Sequence, residues 1–277
     1  MSSNTTPFNP IGVTSALGRA IRLRRLFGTE GKALVVALDQ AVPRGVAPQL
    51  ARINDTYRSV RAGNPNAITV SKGIGAALLA NEPEPLPWIL KASSFSVDFH
   101  LTFDAMIGSV DDAVRLGADA VAVGISAGSS VQPQMLEMLS ATVEKAAGLG
   151  MPTVCHAYPS GDLWGDRKGS LESVLYAARA AAELGVDVVK TWYTGSSESF
   201  AEVVAGTPAL VMVAGGAKAD TDLEVLEMAE SVMQAGAAGL TFGRNVWGAE
   251  DPAKIITALR AIVHDGATAA VASKHLS

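Results

Sequence analysis

Short apolar runs rich in β-branched residues return along this chain at nearly even intervals, and a helical pattern fills most of the gaps. The runs are "ALVVALD" (33–39), "AITVSKG" (67–73), "PWILKAS" (87–93), "DAVAVGIS" (119–126), "PTVCHAY" (152–158), "DVVKTWY" (187–193), "ALVMVAGG" (209–216) and "AGLTFGR" (238–244). Each is apolar almost throughout instead of alternating with polar residues, which marks strands covered on both faces, as in a parallel sheet wrapped by helices. Eight strand–helix units within 277 residues favour a closed TIM (β/α)8 barrel over an open doubly wound sheet.

The intervening segments carry helix boundaries. "SVDDAVRLG" has Ser109 as N-cap, Asp111 and Asp112 in the first turn and Gly117 as stop. "SLESVLYAARAAAELG" reads as a capping box around Ser170, Glu172 and Ser173, closed by Gly185. "DLEVLEMAESVMQAG" and "DPAKIITALRAIVHDG" repeat the pattern, and Pro252 occupies a first-turn position. "SVQPQMLEMLSATVEKAAGLG" is the longest helical stretch. The third unit, "WILKASSFSVDFHLTFDAMIG", is irregular and reads as a loop insertion or an extra strand. With no linker or low-complexity tract, the expected organisation is an N-terminal tail and helix over 1–30, one barrel over 31–266 and a C-terminal tail over 267–277.

Composition narrows the function classes. The chain is 48% hydrophobic and 18% charged, with net charge -5. A large core is possible, and no global basic field would attract nucleic acid. No apolar run is long enough to span a bilayer. The lone cysteine, Cys155, permits no intrachain disulfide, fits a cytoplasmic setting and reads as a small buried hydrophobe. Residues 1–29 lack acids and include Arg19, Arg22, Arg24 and Arg25. A targeting segment shares that composition; the preferred reading is a tail followed by a basic helix, "SALGRAIRLRRLF", packed on the body.

In such a barrel the chemistry sits at the C-terminal ends of the strands. Asp39 ends the first strand, Lys72 follows the second, His156 and Tyr158 end the fifth and Lys190 ends the sixth. "GGAK" (215–218) follows the seventh strand and "GRN" (243–245) the eighth, the two positions where TIM barrels often hold phosphate on backbone N–H groups. Gly215, Gly216, Lys218, Gly243 and Arg244 are therefore the anion-site candidates, with turn glycines and a loop-bracing arginine as the plainer alternative. Lys190 has two readings. A desolvated lysine near other cations can serve as a neutral amine toward a carbonyl; equally, Lys190 could pair with Asp39 across the barrel mouth. Lys72, Lys91 and Lys218 compete for the amine role, with Lys91, mid-strand, read as facing a helix. Tyr158 and Asp39 could move protons. The four histidines, 100, 156, 264 and 275, lack metal-ligand spacing, no Ser–His–Asp signature is present, and "GIGAAL" is too short for a dinucleotide fingerprint. No metal and no cofactor is expected.

Taken together, "LVVALDQAVPRG", "VDVVKTWYTG", "VMVAGGAK", and "FGRNVWGAEDP" followed by "AIVHDG" resemble the archaeal-type class I fructose-bisphosphate aldolases, within the deoxyribose-phosphate aldolase-like group, from about Ile21 to Gly266. The resemblance implies that Lys190 forms a Schiff base with a phosphorylated ketone of the dihydroxyacetone phosphate type. It makes Tyr158 the acid–base group and Asp39 an assistant in proton handling. It places a phosphate on the "GGAK" and "GRN" loops and suggests a homo-oligomer. Two departures stand out. Asp39-Gln40-Ala41 replaces the family's Asp-His-Gly, and His156-Ala157-Tyr158-Pro159-Ser160-Gly161 replaces Trp-x-Tyr-Pro-Arg-Gly. The Schiff-base apparatus is kept while the aldehyde side is altered, so fructose 1,6-bisphosphate itself is not implied. Open alternatives are acyl transfer or synthesis of an amino-sugar precursor within the same family, a sugar-phosphate isomerase, and a non-catalytic sugar-phosphate-binding barrel.

Overall fold

A computed structural model describes residues 15–94 and 105–277. The expected tail over residues 1–14, His100 and the middle of the irregular third unit lie outside the described residues.

Among the described residues the strands are β1 (Ala33–Ala37), β2 (Ala67–Val70), β3 (Trp88–Lys91), β4 (Ser93–Ser94), β5 (Ala105–Met106), β6 (Ala120–Ser126), β7 (Thr153–Tyr158), β8 (Val188–Thr191), β9 (Leu210–Ala214) and β10 (Gly239–Phe242). Eight of them close a barrel in the order β1-β10-β9-β8-β7-β6-β3-β2, and all eight pairings are parallel. The remaining two, β4 and β5, pair antiparallel in the irregular third unit, where an insertion or extra strand was expected. Closure brings Ala33 opposite Gly239. Gly239 has φ 145°, and a Cβ there would stand 1.9 Å from the Ala33 carbonyl oxygen, so only glycine fits.

Burial divides along the two faces of each strand. Leu34, Val36, Leu90, Cys155 and Val189 join the layer shared with the outer helices, including Ile255 and Leu259. Val35, Ile89, Val154, Val188 and Met212 fill the barrel interior, where Leu23, Leu26 and Phe27 of the helix Ser15–Phe27 pack against them. The basic helix thus closes the N-terminal end of the barrel. Arg19 pairs with Asp187, Arg25 lies 3.1 Å from Asp119, and Arg22 donates to the Gly150 carbonyl at 3.0 Å.

Helix starts follow local chemistry. Ser109, Ser170 and Ser196 each accept a first-turn N–H, and Asp251 does so ahead of Pro252. The capping box belongs to Thr221 and Glu224 instead of Ser170, because the N3 residue after Ser170 is Ser173 and Glu172, at N2, pairs with Arg167 at 2.6 Å. The segment expected as a C-terminal tail is also corrected. Ala269–Ala272 is helical, Ala269 and Ala272 are buried, and the Ala269 N–H donates to Glu230 at 2.7 Å. A short apolar turn after Gly266 has enough burial to dock on the preceding helices. No helix among the described residues is long and apolar enough to cross a membrane.

Candidate active site

The inward-facing side chains change character along the strands. Toward the N-terminal end they are aliphatic: Val35, Ile89, Val154 and Val188. One step on, with the period of two that a strand imposes, stand Lys91 after Ile89, His156 after Val154 and Lys190 after Val188. All three are buried, with relative exposures of 6%, 5% and 6%, and all three line one cavity of about 390 Å³ at the C-terminal mouth. Lys91 therefore faces the barrel interior, which corrects the expectation that it faces a helix; it shares the parity of Ile89.

Burial dominates the electrostatics. Removal of water pushes the Lys190 ammonium down to about 8; the Asp39 carboxylate pulls it partly back up, and Lys91 pushes it further down. The same burial, reinforced by Lys190 and then Lys91, holds His156 well below its ordinary value, so its imidazole is neutral. Lys91 donates to Ser93 Oγ at 2.9 Å, and that oxygen also accepts the Gly124 N–H at 2.8 Å. Asp39 and Gln40, just past the end of β1, line the mouth half-buried.

Tyr158 projects from the end of β7, half-buried, and stacks on Trp192 with ring centroids 5.6 Å apart and planes 24° from parallel. Trp192 lies two residues beyond Lys190, so the stack joins the rims of adjacent strands above the lysine. Gly215, Gly216, Gly243 and Arg244 line the cavity from the loops after β9 and β10. Gly216 takes φ +67°, where a side chain would be strained. Asn245, 3% exposed, holds that loop. Its Nδ2 donates to the Gly215 carbonyl at 2.7 Å and the Ala217 carbonyl at 3.1 Å, and its Oδ1 accepts the Ala219 N–H at 2.9 Å. The Arg244 guanidinium donates to the Gly216 carbonyl at 2.9 Å, bracing the same loop while lining the cavity.

Two sequence candidates stand apart from this cluster. Lys218 does not line the cavity; its ammonium donates to the carbonyl of Gly248, the C-cap of the helix Arg244–Trp247. Lys72, on the helix Lys72–Leu79, pairs with Asp112 at 3.2 Å and does not line the cavity. Conversely, Arg44, Lys168, Trp192 and Thr241 line the cavity without having been singled out. With both faces of their strands buried, nothing in the sequence says that Lys91 and His156 turn inward; Arg44, at the end of the helix Ala41–Arg44, and Lys168, in a turn, carried no signal either. Among the described residues no group of three or more His, Cys, Asp or Glu is placed to hold a metal ion.

A family model for the DeoC/LacD family of aldolases matches residues 33–249. A 2-amino-3,7-dideoxy-D-threo-hept-6-ulosonate synthase from Halobacterium salinarum is 34% identical over 250 residues, covering 90% of this chain and 93% of that one. A 2-amino-4,5-dihydroxy-6-oxo-7-(phosphonooxy)heptanoate synthase from Streptomyces griseus is 28% identical over 261 residues, covering 90% and 92%. Among solved structures, an archaeal fructose 1,6-bisphosphate aldolase superposes with TM-score 0.82 at 31% identity, covering 90% of this chain and all of that one. Another archaeal fructose-1,6-bisphosphate aldolase, with its catalytic lysine covalently bound to the carbinolamine intermediate of the substrate, gives TM-score 0.81 at 30% identity, covering 88% and 99%.

Proposed function

The chain belongs to the DeoC/LacD family of aldolases, and on that premise we propose that it is a class I aldolase in which Lys190 forms a Schiff base with a phosphorylated ketone. The observation that carries the assignment is Lys190 itself: an amine buried at a barrel strand end, lining the cavity, with its proton held only to about pH 8. Near neutral pH roughly a tenth of such a lysine is free amine, against well under a thousandth at the ordinary value.

The Lys190 amine adds to the ketone carbonyl, and loss of water leaves an iminium. A base removes the proton of the hydroxyl on the second carbon from the imine. The bond between that carbon and its neighbour breaks, the hydroxyl oxygen becomes an aldehyde carbonyl, and the bond pair passes into an enamine on Lys190. Protonation of the enamine carbon and addition of water release the ketone and return the amine. Bond formation is the reverse. Tyr158, on the rim of the strand beside Lys190, is the acid–base group, and Asp39 assists by its charge and proton handling. Gly215, Gly216 and Gly243 let backbone N–H groups approach the phosphate, and Arg244 adds a positive charge.

A second reading keeps this lysine chemistry but hands the enamine to an aldehyde bearing an amino acid group. The 34% identity to the Halobacterium synthase supports it. Incubation with a panel of ketose phosphates, reduction by borohydride and mass spectrometry tests the assignment: the expected adduct lies on the peptide containing Lys190. Adding aspartate semialdehyde together with the ketose phosphate, before any reduction, separates the two readings by the mass of the product. We further infer a cytoplasmic homo-oligomer. Leu17 and Ile21, one turn apart on the helix Ser15–Phe27, are 63% and 47% exposed, as a subunit contact would require; sedimentation velocity reads the assembly.

A further inference from the structure

His156 is 5% exposed, its side chain lines the cavity, and it makes no hydrogen bond to another described residue. Buried polar groups are nearly always satisfied, so a partner for this imidazole has to come from the cavity itself. Because burial and the two lysines keep the ring neutral, it offers one donor and one acceptor nitrogen. Such a pair suits a hydroxyl, which gives and takes a proton, better than a phosphate.

The barrel order says which hydroxyl. Strands run β7-β8-β9-β10 around the wall. On the Schiff-base reading, the ketone is tied to Lys190 on β8, and its phosphate lies over the loops after β9 and β10. The other side of the imine carbon then points toward β7, where His156 stands opposite Lys190 in register. We propose that His156 reads the substrate carbon next to the imine, on the side away from the phosphate, by hydrogen bonding the hydroxyl that this carbon carries. His156 is thereby a specificity-determining residue: the site selects a ketone hydroxylated at the carbon that becomes the nucleophile. A deoxy ketone would leave the imidazole buried and unsatisfied, which is the situation in which sites built for a hydroxyl reject analogues most strongly.

The test is a competition. Dihydroxyacetone phosphate and hydroxyacetone phosphate share carbonyl and phosphate and differ by this one hydroxyl. Presented together with borohydride, they give Lys190 adducts distinguishable by mass. The expected result is that His156→Phe lowers the ratio of hydroxylated to deoxy adduct by roughly tenfold, and that His156→Gln, which keeps a polar group at similar reach, recovers most of it. A ratio unchanged in His156→Phe, or two adducts that fall together, would overturn the proposal and leave the Schiff-base reading standing. No adduct from either ketone on the unaltered protein overturns both. A measurement on the unaltered protein covers the case in which the Phe variant fails to fold. The His156 ring 15N resonances should shift on binding dihydroxyacetone phosphate and not on binding hydroxyacetone phosphate; equal shifts refute the assignment.

Discussion

Lys190 stands in register with His156 across β8 and β7, and burial, reinforced by the charge of that lysine, keeps the imidazole neutral. The same crowding acts on the lysine. Burial, with Lys91 nearby, brings its proton off at about 8, against the pull of Asp39. Lys91 and Asp39 thus set the lysine in opposite directions.

That opposition predicts a pH profile. The rate at which borohydride traps a ketone on Lys190 should rise with pH and level off above about 8. Lys91→Met removes a cation, so the midpoint should move to higher pH. Asp39→Asn removes an anion, so the midpoint should move lower even though turnover falls. Movement of both variants in the same direction would contradict the assigned causes.

A buried ammonium also weighs on the fold. A drop from 10.5 to about 8 corresponds to about 3 kcal/mol of native-state cost. Lys190→Met should therefore abolish the adduct and raise stability, by up to that order, in denaturant titrations at pH 7. The folded pKa is the lower one, so between pH 8 and 10.5 the unfolded chain binds more protons and the unaltered protein gains stability as pH rises. The advantage of the methionine variant should be full below pH 8 and fade toward pH 10.5. Lys190→Arg should fail to form the adduct, since a guanidinium stays protonated.

Tyr158→Phe keeps the ring that stacks on Trp192 and removes only the hydroxyl. It should still trap a ketone on Lys190, while turnover drops about 10²–10⁴-fold, the usual worth of a proton-transfer group. Steady-state turnover beside adduct yield checks this; parallel loss of both would make Tyr158 a structural residue.

Asn245 makes three hydrogen bonds to the backbone of the loop after β9. Asn245→Ala leaves those groups without their partner and lets the loop shift. The expected outcome is a KM for the phosphorylated ketone raised by roughly tenfold or more, with a stability loss of about 1–3 kcal/mol. A non-phosphorylated ketone should be much less affected; an equal effect on both would detach this loop from phosphate binding.

Much of this was legible in the sequence because it is local. A continuous β-branched run, a serine before a helical period and a glycine after it each declare themselves within a few residues. Asp39, Tyr158 and Lys190 could be placed at the cavity because each ends such a run, and the glycines at 215, 216 and 243 because they follow the last two. What the sequence could not convey was phase. In a parallel barrel both faces of a strand are buried, so "WILK" shows no polar–apolar alternation to say which way Lys91 points. Closure decided it: pairing β1 with β10, 206 residues apart from Ala33 to Gly239, fixed which face of every strand turned inward. Closure gathered Lys91, His156 and Lys190 around one cavity, brought Arg44 and Lys168 to its lining and left Lys218 on a backbone carbonyl outside it. Asn245, too, gained its role only when the loops after β9 and β10 were brought side by side. Segment identity rests on short-range propensity; the company that each side chain keeps depends on contacts between distant parts of the chain, and those exist only once the barrel has closed.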